Sequence, residues 1–255
     1  MAQKAEQKAQ VQTQTPCVSC PLRALSAFRN FSPEELKFVA TLKSGELRAE
    51  PGDMILTEGE SSTSLYTVLS GWAFRYKALE DGRRQILNFA MPGDFLGLQV
   101  AVIKEMDHSV EALTPMVLCT FPRQKMWSIY EGYAGLAFDL TWIASREERL
   151  LDEQLLSVGR RSAMERIAYV LVHISNRATS LKLASPRLGV PLPFTQQHVA
   201  DTLGLSLVHT NKTIRRLTDR GLLSWKNGYF KMLDEDALRQ IAGYEAREIS
   251  GRPLI

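Results

Sequence analysis

The stretch that decides the fold runs from Thr195 to Leu217 and reads TQQHVADTLGLSLVHTNKTIRRL. Val199 and Leu203 are four residues apart, so they lie one above the other on the same face of a helix. Gly204 then provides the conformational freedom that a tight turn between two helices requires. Ser206 is a suitable N-cap for a second helix. The pattern predicts a helix-turn-helix.

The second helix of this motif turns polar and basic side chains outward, while Ile214 and Leu217 face inward. The outward side chains are Val208, His209, Asn211, Lys212, Arg215 and Arg216. They offer hydrogen-bond donors for base edges and cations for phosphates, which a recognition helix in the major groove needs. The alternative is an ordinary helical hairpin with a solvated basic face. The coincidence of turn glycine, cap and basic face favours the binding of double-stranded DNA.

The composition is that of an ordinary soluble globular protein: 255 residues, 45% apolar and 23% charged. The net charge of +3 is too small to indicate nucleic acid by itself, so the local basic cluster carries that prediction. The sequence has no run of 18 apolar residues, so we expect no membrane span. Three cysteines, an odd number, argue against a disulfide framework and for the cytoplasm. No nucleophile–base pair or phosphate-cradling loop indicates an enzyme.

Residues 45–122 have a different texture, with short β-type runs separated by glycines. The runs occupy residues 54–56, 65–69, 72–76, 86–89 and 117–121. Their spacing of about ten residues predicts an antiparallel barrel or jelly roll. Asp81-Gly82 is a good hairpin turn within it. Ahead of this region, Ser32, Pro33 and Glu35 predict the capped start of a helix.

Helical character returns at Tyr133 with two apolar stripes. The first stripe repeats at three and four residues and consists of Leu140, Ile143, Glu147, Leu150 and Gln154. The second lies beside it and consists of Ala144, Leu151, Leu155 and Val158. One stripe could pack on the barrel and the other on a symmetry mate, but a monomer that uses both as core fits the periodicity equally well. In a dimer, the polar residues Glu147 and Gln154 would fix the register of the first stripe.

The C-terminal part completes the DNA-binding unit. A helix is predicted from residue 163 to about residue 175, and residues 185–193 form a loop with three prolines. Asn227-Gly228 is a strong hairpin turn and makes the motif a winged helix, which a short helix within 234–244 closes. We therefore predict an α+β protein in four parts: a disordered arm (1–16), a β-roll sensor (17–131), a dimerisation helix (132–159) and a winged helix-turn-helix (160–255).

This order of parts resembles the Crp/Fnr superfamily of bacterial transcription regulators. The strings GWAFRY at 71–76, DGRRQI at 81–86 and PGDFLG at 92–97 look like the turns of that family's sensor barrel. The resemblance implies a β-roll like the cyclic-nucleotide-binding domain and a homodimer that forms on the long helix. Two-fold symmetry implies a palindromic operator with half-sites about one helical turn apart. RNA polymerase is a further implied partner.

The effector pocket of this family lies in the β-roll. Cyclic-nucleotide sensors use a Gly-Glu pair for the ribose and an Arg-Ser pair for the phosphate, whereas this chain has Gly97-Leu98 and His108-Ser109 at the matching places. The carboxylate that accepts from the ribose and the guanidinium that pairs with the phosphate are both missing. We therefore expect that an effector at these four residues would be an unidentified small molecule and not cyclic AMP.

The cysteines resemble the oxygen-sensing, fumarate–nitrate regulator-like branch, which binds an iron–sulfur cluster through three N-terminal cysteines and one barrel cysteine. Cys17, Cys20 and Cys119 match three of those cofactor and metal ligands, while Ser26 stands at the remaining position. Because a cluster normally takes four thiolates, the resemblance implies oxygen or redox sensing with an altered ligand set. The alternative is that Cys17 and Cys20 lie on a mobile arm and Cys119 is a buried small hydrophobe.

Base readout also departs from the best-known members of the family. Val208 can contact a thymine methyl group, Asn211 can pair with adenine and Lys212 can pair with guanine. His209 fits a base or a phosphate contact. Contacts with phosphate or solvent are expected for His198, Arg215 and Arg216.

Overall fold

The computed structural model describes residues 14–245 and 251–255. Two short 3₁₀ turns, Cys17–Ser19 and Pro21–Ala24, lead to helix α1 (Pro33–Leu42). Its predicted capping box is confirmed, because the Ser32 hydroxyl accepts from the Glu35 amide at 3.2 Å and the Glu35 carboxylate accepts from the Ser32 amide at 2.9 Å. Residues 1–13 of the arm predicted to be disordered lie outside the described residues.

The β-roll follows and confirms the predicted antiparallel architecture. Its strands are β1 (Gly45–Ala49), β2 (Met54–Leu56), β3 (Ser64–Ser70), β4 (Ala73–Ala78), β5 (Arg84–Ala90), β6 (Phe95–Leu96), β7 (Ser109–Ala112) and β8 (Met116–Pro122). They form two four-stranded sheets, in the orders β1-β8-β3-β6 and β2-β7-β4-β5. Helices α2 (Leu98–Ile103) and α3 (Trp127–Gly132) interrupt and end the roll, and the sequence pattern did not predict them.

The roll is held together by apolar side chains that the strand alternation sends inward. Val68, Val110 and Leu118 are fully buried between the sheets. Each such side chain stabilises the fold by about 1.5–3 kcal/mol relative to an exposed one. The register places Cys119 of β8 between Glu46 of β1 and Thr67 of β3, so these three residues form one row across the sheet.

Helix α4 (Ala134–Arg160) separates its two stripes cleanly. The first stripe packs on its own chain, because Leu140 and Ile143 are buried there, Glu147 pairs with Arg75, and Gln154 donates to a backbone carbonyl of the DNA-binding part. The expectation that Glu147 and Gln154 fix a dimer register is therefore wrong, since both are occupied within the chain. In the second stripe Ala144, Leu151 and Leu155 are exposed and Val158 is half-buried, while Phe138 and Leu156 are further exposed apolar residues of the helix.

The C-terminal part is a winged helix-turn-helix, as predicted. Its elements are α5 (Ala163–Ser180), β9 (Val190–Pro191), α6 (Gln196–Leu203), α7 (Leu207–Asp219), β10 (Leu223–Lys226), β11 (Tyr229–Met232) and α8 (Glu235–Ala242). Helix α5 is longer than predicted because its last turn still buries Ala178. The proline-rich loop contains strand β9, which pairs with β11 to complete the three-stranded wing sheet. None of the helices within the described ranges is long and apolar enough to cross a membrane.

Helix α6 docks on strand β5 and fixes the DNA-binding part against the roll. The Arg84 guanidinium donates to the Asp201 carboxylate at 2.7 Å, and the Phe89 and Phe194 rings stack with centroids 4.4 Å apart. The His198 ring lies edge-on to Phe74, with centroids 5.3 Å apart. The expectation that His198 faces phosphate or solvent is therefore wrong, because tertiary packing places the roll against this side of α6.

Candidate nucleic-acid interface and cysteine pocket

The turn between α6 and α7 has the geometry that its residues predict. Gly204 ends α6 in the left-handed conformation with φ of 62°, which favours glycine. The Ser206 hydroxyl then caps α7 by accepting from the His209 amide at 3.2 Å. Ile214 and Leu217 are buried as predicted, and this apolar side anchors α7 on the rest of the domain.

The outward face of α7 brings together all six residues that the sequence selected. Val208, His209, Asn211, Lys212, Arg215 and Arg216 are each exposed. The ion pair between Arg215 and Asp219 is long, at 3.8 Å, and both side chains are solvated, so the guanidinium stays available to a phosphate. The face thus combines apolar, amide and cationic groups on one rigid helix, which is the chemistry of a major-groove reader.

The wing adds a basic tip that the sequence reasoning did not assign to DNA. Asn227 and Gly228 both have positive φ, 52° and 75°, as a tight hairpin turn between twisted strands requires. Lys226 and Asn227 are exposed at this tip. The sequence signal that could have indicated this basic tip is Lys226, directly before the Asn-Gly turn.

The three cysteines line one pocket although they are far apart in the sequence. The pocket encloses about 370 Å³ of empty space, part of it open to solvent. Its lining residues are Thr15, Cys17, Cys20, Leu22, Arg23, Val39, Lys43, Thr67, Leu69, Cys119, Phe121, Leu254 and Ile255. The pocket thus brings Cys119 together with Cys17 and Cys20, whereas the alternative placed the N-terminal pair on a mobile arm and took Cys119 as a buried small hydrophobe.

The electrostatics of this pocket keep the half-buried thiols of Cys17 and Cys119 protonated at neutral pH. Burial raises the pKa of Cys119 to about 11, against the opposing effect of the nearby Lys43 ammonium. Burial likewise raises the pKa of Cys17, again opposed by Lys43 and by Arg23. Lys43 is itself held in place by Glu46, with 2.7 Å between ammonium and carboxylate. Sequence reasoning missed both cations, whose role depends on where α1 and the arm pack.

The arrangement does not fit a cluster held by four protein ligands. Within residues 14–245 and 251–255, no group of three or more histidine, cysteine or acidic side chains is placed to hold a metal ion. Ser26, at the position of the missing ligand, is exposed and does not line the pocket. A cluster normally takes four ligands from the protein, and this pocket offers three cysteines.

The four residues of the expected effector pocket lie close to strand β2. A Cβ added to Gly97, which has φ of 88°, would lie 3.5 Å from Leu56, and Leu56 pairs with Val110, directly after Ser109. The Ser109 hydroxyl accepts from the Glu58 amide at 3.0 Å. Burial, together with Arg75 and Lys77, lowers the pKa of His108 to about 3. A neutral imidazole does not replace an arginine at a cyclic phosphate, which agrees with the expectation against cyclic AMP.

A buried ion cluster joins the roll, α4 and α5, and the sequence reasoning missed it. Asp94 is 3% exposed, and its carboxylate accepts from Arg177 at 2.6 Å and from Arg252 at 2.9 Å, while Arg146 lies 3.6 Å away. The only signal in the sequence was an acidic residue inside an otherwise apolar run, residues 89–96.

The fold and the exposed recognition helix define a DNA-binding regulator with a β-roll sensor. Residues 46–133 match the cyclic nucleotide-binding domain family, and residues 165–241 match the Crp-like helix-turn-helix domain family. Related proteins align with most of the chain. The nitrogen fixation regulation protein FixK of Bradyrhizobium diazoefficiens is 31% identical over 89% of this chain and 93% of its own length.

A second relative, the fumarate and nitrate reduction regulatory protein of Escherichia coli, is 24% identical over 89% of this chain and 90% of its own length. The solved structure of FixK2 from Bradyrhizobium japonicum superposes with a TM-score of 0.70 and 26% identity, covering 79% of this chain and 98% of that one. The chain therefore belongs to the Crp/Fnr family of transcription regulators and is not an enzyme.

Proposed function

We propose that this protein is a homodimeric, sequence-specific DNA-binding regulator whose cysteine pocket responds to oxygen or redox state. The observation that carries the DNA-binding part is the exposed face of α7, fixed by a buried apolar side and a capped N-terminus. Val208, Asn211 and Lys212 would read bases, while Arg215 and Arg216 would contact phosphates. The four parts predicted from the sequence remain our proposed division of the chain, although residues 251–255 of the last part pack on the sensor. RNA polymerase remains a proposed partner.

The proposed dimer forms on the outward stripe of α4. Leu151 and Leu155, four residues apart on this stripe, are 48% and 70% exposed, which is unusual for large apolar residues on one helix face. Pairing this stripe with its symmetry mate would bury it in a coiled-coil-like contact. The two copies of α7 would then face half-sites about 34 Å apart along one face of a palindromic duplex.

Selection from a random duplex library tests the DNA-binding proposal. The purified protein is expected to enrich a palindromic sequence, and fluorescence anisotropy should then give tighter binding to it than to a scrambled duplex of equal length. A variant with Asn211→Ala is expected to lose that preference, whereas Arg83→Ala, an exposed arginine of the roll, should bind like the wild type. Equal binding to both duplexes by the wild type would refute sequence-specific recognition.

The redox proposal rests on the meeting of Cys17, Cys20 and Cys119 beside two cations. Two of these thiols can lose two protons and two electrons to a peroxide, which forms one disulfide bond and two molecules of water. A disulfide shortens the distance between its two sulfur atoms to about 2 Å and so forces the pocket to repack. The relative named for fumarate and nitrate reduction supports a signal of this kind.

Operator affinity of reduced and peroxide-treated protein tests this proposal, with iron content and the visible spectrum measured on protein purified without oxygen. We expect affinity to change on oxidation in the wild type and to stay constant in Cys119→Ser. Affinity that ignores both oxidation and Cys119→Ser would refute redox sensing. Bound iron with visible bands that Cys119→Ser abolishes would replace the thiol reaction by a metal centre.

A further inference from the structure

The segment Gly251–Ile255 is docked on the sensor, where it pairs with the chain ahead of α1. The Arg252 amide donates to the Ala27 carbonyl at 3.1 Å, and the Arg252 carbonyl accepts from the Arg29 amide at 2.9 Å. These bonds form a parallel bridge with Phe28. Segment 251–255 is therefore held by backbone pairing to residues 27–29, which follow Cys17 and Cys20 in the chain.

The apolar end of this segment closes the cysteine pocket. Leu254 and Ile255 are buried and line the pocket together with the three cysteines. The Arg23 guanidinium donates to the Leu254 carbonyl at 3.2 Å, and the Thr67 hydroxyl donates to the Ile255 carbonyl. Thr67 of β3 lies directly opposite Cys119 of β8 in the sheet, so the residue that holds the Ile255 carbonyl is the neighbour of Cys119.

The charged end of the same segment reaches the DNA-binding domain through Asp94. Arg252 is 8% exposed and binds Oδ1 of Asp94, while Arg177 of α5 binds Oδ2. Arg252 and Arg177 thus fix the orientation of one carboxylate from both sides. Gly93 leaves room for this contact, because a Cβ at Gly93 would lie 2.9 Å from the Arg252 guanidinium and would overlap the Phe28 ring.

We propose that segment 251–255 is a latch: Leu254 and Ile255 close the cysteine pocket, and Arg252 links that closure through Asp94 to helix α5 of the DNA-binding domain. The latch rests on the proposed function in one respect, that the three cysteines are the sensing groups. Covering one side of the pocket keeps water from that side of the thiols, which agrees with the raised pKa values of Cys17 and Cys119. Opening the latch exposes the thiols and frees one side of the Asp94 carboxylate.

Thiol labelling of the reduced full-length protein tests the closure. Arg252→Ala is expected to make a maleimide react with the pocket cysteines about 10-fold faster, because losing a charge-assisted contact shifts the opening equilibrium by about that factor. Arg83→Ala, which removes an exposed arginine that pairs with Asp81, is the matched control and should label like the wild type. Equal labelling rates for Arg252→Ala and the control would overturn the latch.

Hydrogen-exchange mass spectrometry tests the docking of segment 251–255 in the wild type and its link to α5 in Arg252→Ala. In the wild type, peptides covering the Arg252 and Arg29 amides should exchange slowly, and full exchange there at the earliest times would overturn the docking. In Arg252→Ala, peptides of α5 near Arg177 should exchange faster, and unchanged or slower exchange would overturn the link to the DNA-binding domain. Both measurements use reduced protein without DNA, so they decide the latch even if oxidation leaves operator affinity unchanged.

Discussion

Replacing Asp94 by asparagine removes a buried negative charge on which three arginines from different parts of the chain converge. Arg177 comes from α5, Arg146 from α4 and Arg252 from segment 251–255. Asparagine has nearly the same volume and keeps one acceptor oxygen, so the change isolates the charge. Burial and the neighbouring Arg177 lower the pKa of Arg146 to about 10, so the arginines already repel one another in this cluster.

The cost follows from burial and contact geometry. Asp94 is almost fully buried, and its two short contacts, 2.6 Å to Arg177 and 2.9 Å to Arg252, are charge-assisted. Removing one partner of a buried ion cluster costs about 3–5 kcal/mol, because the remaining charges stay buried without compensation. For a chain of this size each kcal/mol lowers the melting temperature by about 2–4 °C, so Asp94→Asn should lower it by about 10 °C.

The pH dependence gives the same prediction a second signature. Burial alone raises the pKa of the Asp94 carboxyl, but Arg177, Arg252 and Arg146 outweigh burial and hold that pKa far below its ordinary value. Because the folded-state pKa lies below the unfolded value of about 3.9, the carboxylate's stabilisation is complete above that pH and declines as the pH falls below it. The stability difference between wild type and Asp94→Asn should therefore be constant near neutrality and shrink under acid conditions.

Urea unfolding of both proteins at a series of pH values measures this difference. Asp81→Asn is the control, since Asp81 pairs only with Arg83 at the surface and should behave like the wild type. An Asp94→Asn variant as stable as the wild type at neutral pH would refute the reasoning. A difference that stays the same from neutral to acid pH would show that shape, and not charge, causes the loss.

Other residues give predictions of the same kind. Lys212→Ala should relax base preference, whereas Arg216→Ala should weaken binding to all duplexes alike and reduce the salt slope by about 1. Anisotropy titrations at several salt concentrations distinguish the two variants. Equal losses on every sequence for both variants would contradict the assignment of Lys212 to bases and Arg216 to phosphates. Leu155→Asp should convert the dimer to monomer in analytical ultracentrifugation; an unchanged dimer would place the interface elsewhere. Ser206→Ala should lower the free energy of unfolding by about 1 kcal/mol through the lost helix cap. Thr210→Val should raise the free energy of unfolding by about 1 kcal/mol, since the buried Thr210 hydroxyl has no partner among the described residues. Thermal unfolding of both variants measures the decrease and the increase.

The helix-turn-helix was readable from the sequence because its determinants are local. Val199 and Leu203 face inward on one helix, Gly204 makes the turn, and Ser206 caps the next helix, all within one short stretch. The outward face of α7 follows from the same helical period, so the candidate DNA contacts could be selected without the fold. The strands of the roll were predictable for a similar reason, through their alternation and turn residues.

The two stripes of α4 mark the limit of that reasoning. Periodicity identified both stripes but could not say which one faces the chain's own core. The structure decides it, because Arg75 from β4 meets Glu147 and the carbonyl of Thr202 meets Gln154. These partners are distant in sequence, so only the packing of the helix between roll and DNA-binding domain reveals them.

What the sequence alone determined is therefore most of the longer helices and strands, the fold class and the exposed face of the recognition helix, since short-range periodicity and turn chemistry specify each of them. Only the tertiary structure decided that Cys119 lies beside Cys17 and Cys20, and that Asp94 gathers arginines from three separate segments. The physical reason is that strand register and the docking of segment 251–255 create these neighbourhoods. Both depend on contacts between residues that no local pattern connects.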